Sequence, residues 1–161
     1  FIFDALFGNF DRHGNNWGYL INDYGEMKLA PIYDCGSCLY PQISDEAIPS
    51  ILNNQIEIKK RIDVFPKAAL LLDNGEKVNY KEYINSLQGD CTAALLRIYP
   101  TIDMKKINHF IDSINDISDI RKTFYKTMLQ NRYDLILTPA YERAVERNKS
   151  ISNDIGEIDL D

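Results

Sequence analysis

The first 40 residues of the sequence alternate between apolar and polar segments. Residues 1–8 place apolar side chains on all sides of a short helix, which predicts a buried helix that Gly8 and Asn9 terminate. The apolar segments 17–21 and 27–30 flank turn-forming residues at 22–25, and this arrangement predicts a β-hairpin over 17–30. The polar segment 9–16, rich in Asn, Asp and Gly, is therefore expected to be a loop between a helix and a hairpin.

From residue 45 onwards the periodicity is helical. Asp45, Asn79 and Asp90 precede predicted helices at 46–53, 80–87 and 91–99, and their side chains are expected to cap them. Two later helices are predicted from apolar residues at helical spacing on their inner faces: Met104, Ile107, Phe110, Ile111, Ile114 and Ile117 in the first, and Phe124, Met128, Leu129 and Leu135 in the second, which Asp119 opens.

The helical pattern is expected to be interrupted at Pro139. Pro139 predicts a break or a new helix start, with Thr138 as a candidate cap, followed by a charged helix over 142–148. Residues 150–161 are small and acidic, and we expect a flexible tail there. The pattern as a whole predicts a mainly α-helical protein with one small β-hairpin, in which a helical body spans 45–149.

Composition and charge narrow the possible functions. A length of 161 residues with 45% hydrophobic residues suits one domain with a buried core, and a net charge of −6 argues against direct nucleic-acid binding. The apolar runs are too short to cross a bilayer, so no membrane contact is expected. Three cysteines favour a reducing, cytoplasmic setting. The chain begins without Met inside an apolar helix, which suggests a fragment of a longer protein.

Three polar side chains near the hairpin have the character of a phosphotransfer site. Asp11 and Asn16 lie in the polar loop, and Asp34 follows the hairpin, which is expected to return it beside Asn16. A kinase requires an acid that orients the attacking hydroxyl, together with an amide and an acid that hold Mg²⁺. Asp11 is the candidate catalytic acid, and Asn16 and Asp34 are the candidate metal ligands, because Mg²⁺ prefers oxygen.

The same residues resemble a known family. Asp11, His13 and Asn16 match the Asp-x-His-x-x-Asn catalytic loop of the HipA-like serine/threonine kinases, which are often bacterial toxins, and Pro31, Tyr33 and Asp34 match that family's Pro-x-Tyr-Asp metal motif. The resemblance covers about the first forty residues. It implies the helical C-terminal lobe of a kinase over 1–149, with a catalytic loop at 9–16 and a metal loop at 31–38.

The resemblance also implies ligands and partners. ATP and Mg²⁺ are the implied cofactors, with His13, Asn16 and Asp34 on the cofactor side of the site. His13 and Arg12 are expected to shape the loop. The implied partners are a protein substrate, such as a translation factor, and an antitoxin-type protein. The family's phosphate-binding loop, nucleotide-pairing Lys and its Glu partner are not recognisable in the sequence, so this fragment is expected to be inactive alone.

Alternatives remain for several of these residues. Asp11 and Asn16 are also residue types that stabilise turns through their own backbone. Cys35 and Cys38 form a C-x-x-C sequence, which is compatible with redox chemistry, with half of a zinc site, or with two unreactive loop thiols. The kinase hypothesis itself has two alternatives, a pseudokinase that serves as an interaction module and a small-molecule or lipid kinase.

Overall fold

A computed structural model describes the backbone of residues 1–156 and the side chains of residues 1–150. Within this range the chain is mainly helical with a two-stranded antiparallel sheet, which confirms the predicted fold class. In chain order the helices and strands are α1 (Ile2–Phe7), β1 (Tyr19–Ile21), β2 (Met27–Leu29), α2 (Ile48–Leu52), α3 (Gln55–Asp63), α4 (Tyr80–Asn85), α5 (Gly89–Ile98), α6 (Met104–Ser113), α7 (Asp119–Arg132) and α8 (Thr138–Gly156).

The first helix and the hairpin form where the sequence predicts them. Gly8 ends α1 in the left-handed conformation, at φ 64°, and donates its N–H to the Asp4 carbonyl. In the hairpin, β1 pairs with β2 and Tyr19 lies opposite Leu29. The turn is closed by Asn22, whose side-chain oxygen accepts the N–H groups of residues 24 and 26.

The core consists of two buried clusters that meet at α7. The larger cluster gathers apolar residues from α1, α4, α5 and α8, and α7 contributes Leu129 to it. The smaller cluster packs Phe124 and Met128 of α7 against Tyr40 and residues of α2 and α3. Helix α7 is therefore the element that connects the region around α1 to the region that follows the hairpin.

Of the three predicted caps, one is confirmed and two are wrong. The Asn79 side chain accepts the N–H groups of residues 81 and 82 at the start of α4. Asp90 lies inside the first turn of α5, because that helix already begins at Gly89. Asp45 does not cap α2, which begins further along the chain; its carboxylate instead binds Arg121 of α7.

Pro139 lies in the first turn of a new helix, α8, which confirms the predicted helix start, although the chain is not interrupted before it. Residues Tyr133–Leu137 form a wider π-helical turn that leads from α7 directly into α8, with Pro139 in the first turn of α8. Thr138 is not a cap, because its hydroxyl donates to the Tyr133 carbonyl at 3.1 Å. The Asn85 side chain donates to the Ile136 carbonyl at 3.1 Å. The carbonyls of Tyr133 and Ile136 in the wide turn therefore have side-chain hydrogen-bond donors.

Two of the predicted inner-face residues are exposed. Phe110 and Leu135 are 67% and 41% exposed, because α6 and the π-helical turn present other residues to the core. Helix α6 ends at Ser113, so the predicted stripe does not continue to Ile117 within the same helix. No helix among the described residues is both long enough and apolar enough to cross a membrane.

The C-terminal boundary differs from the expectation. Helix α8 continues to Gly156, beyond the predicted end of the helical body at residue 149. The remainder of the predicted tail, residues 157–161, lies outside the described residues. The flexibility of this segment therefore stays a prediction.

Candidate active site

The candidate catalytic loop begins at Asn9, which is fully buried. The Asn9 side chain donates to the Asp4 carboxylate at 2.8 Å and accepts the Asp11 N–H at 3.0 Å. The Asn9 carbonyl accepts the hydroxyl of Tyr80, on α4, at 2.6 Å. These bonds fix the backbone immediately before Asp11 to both α1 and α4.

Asp11 has a fixed backbone and an accessible side chain. Its carbonyl accepts the His13 N–H at 2.9 Å, while its side chain is 52% exposed. Among the described residues, the only basic side chain within 4.0 Å of its carboxylate is His13, whose Nε2 lies 4.0 Å from Oδ1. His13 Nδ1 accepts the Asn15 N–H at 3.2 Å, in agreement with a loop-shaping role. The Asp11 carboxylate is therefore accessible to a bound ligand.

Asn16 lies deeper than Asp11 and is 6% exposed. Its side-chain nitrogen donates to the Asp11 carbonyl at 2.7 Å, and its backbone N–H donates to the His13 carbonyl at 2.9 Å. Because the donor end of the amide is committed to the loop, the amide oxygen is the end that remains for a cation. That orientation is the one a Mg²⁺ ligand requires.

Arg12 connects the catalytic loop to the segment that contains Asp34. Its guanidinium forms an ion pair with the buried Asp4 carboxylate at 3.0 Å and donates to the Asn16 carbonyl at 2.7 Å. It also donates to the Tyr33 carbonyl and lies 3.8 Å from the Cys35 sulfur. Burial opposes the charge on Arg12, but the hydrogen bonds to Asp4 and Cys35 outweigh it and raise its pKa. One side chain thus binds both predicted motifs.

Asp34 lies at a backbone position that side chains other than Gly seldom adopt, with φ 52°. The preceding residue, Tyr33, is held on both sides, since its carbonyl accepts from Arg12 and its hydroxyl donates to the Asn15 carbonyl at 3.0 Å. The Asp34 side chain is exposed, and its carboxylate accepts no hydrogen bond from any described residue. Tyr33 therefore joins the backbone next to Asp34 to the loop at 9–16, and the Asp34 carboxylate is exposed.

The donor set suits a hard cation. The two predicted metal ligands, Asn16 and Asp34, would each offer an oxygen atom, and Mg²⁺ is typically held by one or two carboxylates together with substrate phosphates. Across the described residues no group of three or more His, Cys, Asp and Glu side chains gathers in a way that would hold a metal. Cys35 and Cys38 thus have no further ligands there with which to build a zinc site.

An apolar cavity of about 500 Å³ lies beside the loop. Arg12 and Asn16 line it together with Trp17, and its other walls come from α1, the end of the hairpin, α5 and residues 68–70. The apolar residues of the hairpin are exposed as well, among them Ile21, at 65%, and Leu29, at 64%. The site therefore adjoins a large apolar surface that the described residues leave uncovered.

Comparison with known proteins identifies kinases. The serine/threonine-protein kinase CtkA of Helicobacter pylori is 47% identical over 148 residues, which are 91% of this chain and 46% of that protein. A putative kinase of Sinorhizobium fredii, Y4mE, is 30% identical over 118 residues, 70% of this chain and 28% of that protein. The chain thus spans less than half the length of these curated relatives. No family model matches it.

A solved structure agrees in fold. The crystal structure of the H. pylori proinflammatory kinase CtkA superposes with a TM-score of 0.85 at 45% identity, covering 91% of this chain and 54% of that chain. The chain is thus similar to part of a serine/threonine kinase in both sequence and fold.

The sequence interpretation missed two buried charges that support the loop. Asp4, 4% exposed, is the shared partner of Asn9 and Arg12, and its signal was an isolated acid in an otherwise apolar helix. Arg132 of α7 is fully buried and follows Phe124 and Met128 at helical spacing, so its position on the inner face was readable.

Arg132 binds the C-terminal half of α1 through hydrogen bonds. It donates from Nε to the Ala5 carbonyl at 2.6 Å and from Nη1 to the Arg61 carbonyl at 2.8 Å and the Tyr40 hydroxyl at 3.2 Å. Ala5 and Arg61 lie near the C-terminal ends of α1 and α3, where backbone carbonyls lack helical partners. The Arg132 charge therefore satisfies two helix ends at once and fixes α1 just before the catalytic loop.

Proposed function

We propose that this chain is the C-terminal catalytic lobe of a HipA-like serine/threonine protein kinase, which transfers the γ-phosphate of ATP to a protein hydroxyl. The observation that carries the proposal is the Arg12 junction, which holds the Asn16 carbonyl and the Tyr33 carbonyl with one guanidinium. Through these two bonds, Arg12 holds together the segments that contain the accessible acid Asp11, the amide Asn16 and the second acid, Asp34. The similarity to the kinase CtkA supports the same conclusion.

Each side chain has a role that its environment suits. Asp11, accessible and with a fixed backbone, orients the acceptor hydroxyl and takes its proton. Asn16 and Asp34 would hold Mg²⁺, and His13 would support the loop on the cofactor side. When bound, Mg²⁺ neutralises charge on the phosphates. Arg12 would hold Asn16 and the segment of Asp34 in register through the Asn16 and Tyr33 carbonyls.

The reaction requires more than this lobe. The sequence contains no recognisable phosphate-binding loop or nucleotide-pairing lysine, and the chain matches 46% of CtkA. We therefore propose that a nucleotide-binding lobe completes the site next to the exposed hairpin and the apolar cavity. A protein acceptor and an antitoxin-type partner belong to the same proposal and rest on the family resemblance, and a cytoplasmic setting rests on the cysteine content.

The test is phosphorylation by the full-length protein from labelled ATP with Mg²⁺. Asp11→Asn keeps the shape of the side chain and removes the base, so transfer should fall by about 10²–10⁴-fold. Asp116→Asn is the matched control, because Asp116 is an exposed aspartate outside the site. Equal transfer by wild type and Asp11→Asn would make Asp11 a turn residue and refute the assignment.

The same assay separates the alternatives. If the wild type transfers no phosphate to any protein, lipid or small molecule with either Mg²⁺ or Mn²⁺, the pseudokinase alternative replaces the kinase proposal. If it labels lipids or small molecules but no protein, the acceptor class is wrong while the roles of Asp11, Asn16 and Asp34 stand.

A further inference from the structure

Two cysteines follow Asp34 in a tight turn. The Cys38 N–H donates to the Cys35 carbonyl at 3.0 Å, and both thiols are free. A turn closed in this way brings the first and fourth Cα atoms within about 7 Å of each other. Disulfides span Cα–Cα distances of about 4.4–6.8 Å, so the backbone already brings the pair near bonding range.

The two thiols differ in accessibility. Cys35 is exposed, while Cys38 is half-buried behind it. Burial, and next the neighbouring Cys35 sulfur, raise the pKa of the Cys38 thiol to about 12. Cys35 is therefore the thiol that an oxidant in solution meets first, and Cys38 is the neighbour that can resolve the product.

Cys35 is also in contact with the Arg12 junction. Its sulfur lies 3.8 Å from Nη2 of Arg12, and it directly follows Asp34, whose φ of 52° is strained. Leu39 and Tyr40 are likewise left-handed, at φ 56° and 58°. The segment between Asp34 and Tyr40 thus has little freedom to absorb a new covalent bond without moving its neighbours.

We propose that Cys35 and Cys38 form a reversible dithiol–disulfide site for peroxides, and that its oxidation loosens the catalytic loop by withdrawing Cys35 from Arg12. The disulfide itself is independent of the proposed kinase function; only its consequence for phosphotransfer rests on that function. C-x-x-C pairs outside oxidising compartments typically serve transient redox chemistry rather than structural crosslinking.

The chemistry balances with hydrogen peroxide as the oxidant. The Cys35 sulfur takes one peroxide oxygen as the O–O bond breaks, and its thiol proton leaves with the other oxygen as water, which gives a sulfenic acid. The Cys38 sulfur then attacks that sulfur, so that an S–S bond forms, the S–O bond breaks, and the hydroxyl leaves with the Cys38 proton as a second water. A dithiol such as dithiothreitol reverses the oxidation by thiol–disulfide exchange.

The test treats the full-length protein with hydrogen peroxide and follows two readouts that do not depend on activity. The first is the mass of the tryptic peptide between Lys28 and Lys59, which should fall by two hydrogens and return with dithiothreitol. The second is amide hydrogen exchange over residues 9–16, which should become about tenfold faster on oxidation, because the loop loses an Arg12 contact. Cys38→Ser should abolish both changes.

Cys91→Ser is the matched control, because Cys91 is a half-buried thiol on α5, distant in sequence from the pair. It should respond as the wild type does. Stable over-oxidation of Cys35 without a disulfide would overturn the proposed site, and a disulfide with unchanged exchange over 9–16 would overturn its coupling to the loop. Phosphotransfer assayed on the same samples separates the two proposals, since an inactive reduced protein would count against the kinase while mass and exchange still decide the redox site.

Discussion

Replacement of Arg12 by Met gives the sharpest test of the junction. The change keeps an unbranched apolar stem and removes every donor, so the Asp4 carboxylate loses its ion pair at 3.0 Å and the Asn16 carbonyl loses its 2.7 Å bond. The side chains of Arg12 and Asp4 are only 14% and 5% exposed, so water replaces these partners poorly.

The magnitude follows from that burial. Removing one partner of a buried ion pair costs about 3–5 kcal/mol, because it leaves an uncompensated charge. Asp4 keeps the hydrogen bond from Asn9, which places the expected loss at the lower end of that range. Since proteins unfold at a cost of about 5–15 kcal/mol, the Arg12→Met variant should fold but with clearly reduced stability.

The assay is urea unfolding monitored by circular dichroism, and Asp4→Asn and the double variant complete a double-mutant cycle. The two changes should be non-additive by about 1–3 kcal/mol, because both break the same contact. Arg97→Met is the control, an exposed arginine with no bond to other described residues, and should change stability by less than about 0.5 kcal/mol. A loss of stability below about 1 kcal/mol for Arg12→Met, or additive effects with Asp4→Asn, would show that the contact between Arg12 and Asp4 does not stabilise the fold as argued.

Three further outcomes are expected from urea unfolding. Gly8→Ala should lower the free energy of unfolding more than Gly75→Ala does, although both glycines have positive φ. A Cβ at Gly8 would lie 3.2 Å from a proline side chain, whereas one at Gly75 meets nothing within 4 Å. Equal losses of stability would refute this reasoning. Arg132→Met should lower the free energy of unfolding by about 1–3 kcal/mol, because the Ala5 carbonyl loses its partner while the Arg61 carbonyl keeps the Tyr40 hydroxyl; a neutral effect would contradict its anchoring role. Hydrogen bonds from Ser118 and then from Arg121 lower the pKa of Asp45, so this stabilisation is complete above its ordinary pKa of about 3.9 and is lost as the pH falls through the lowered folded value. The stability difference between wild type and Asp45→Asn should therefore shrink in that acid range, and a difference independent of pH would rule the contact out.

Local features of this fold were predictable and distant ones were not. The hairpin follows from turn chemistry confined to residues 22–25, and the cap at Asn79 from its position before an apolar pattern. The cap predicted for Asp45 failed because its carboxylate binds Arg121, seventy-six residues away. No local pattern encodes such a pairing, since it depends on how α7 packs against the loop before α2.

The candidate site likewise has local features that were predictable and distant contacts that were not. The spacing of Asp11, Asn16 and Asp34 is a local pattern, and the structure brings their segments together as the hairpin implies. The support beneath them is non-local, because Tyr80 reaches the Asn9 carbonyl across seventy-one residues. A buried polar group signals that some partner exists without indicating which.

The π-helical turn at Tyr133–Leu137 restricts insertions and deletions in this part of the chain. Each residue of a helix turns the next by about 100°, so the number of residues between α7 and α8 sets the direction that α8 faces. With the present number, Ala140 and Ala144 face inward and are almost completely buried. An insertion or deletion of one residue here would rotate those alanines away and turn larger, charged side chains towards the core. The segment must therefore keep its residue count even where individual side chains are free to vary.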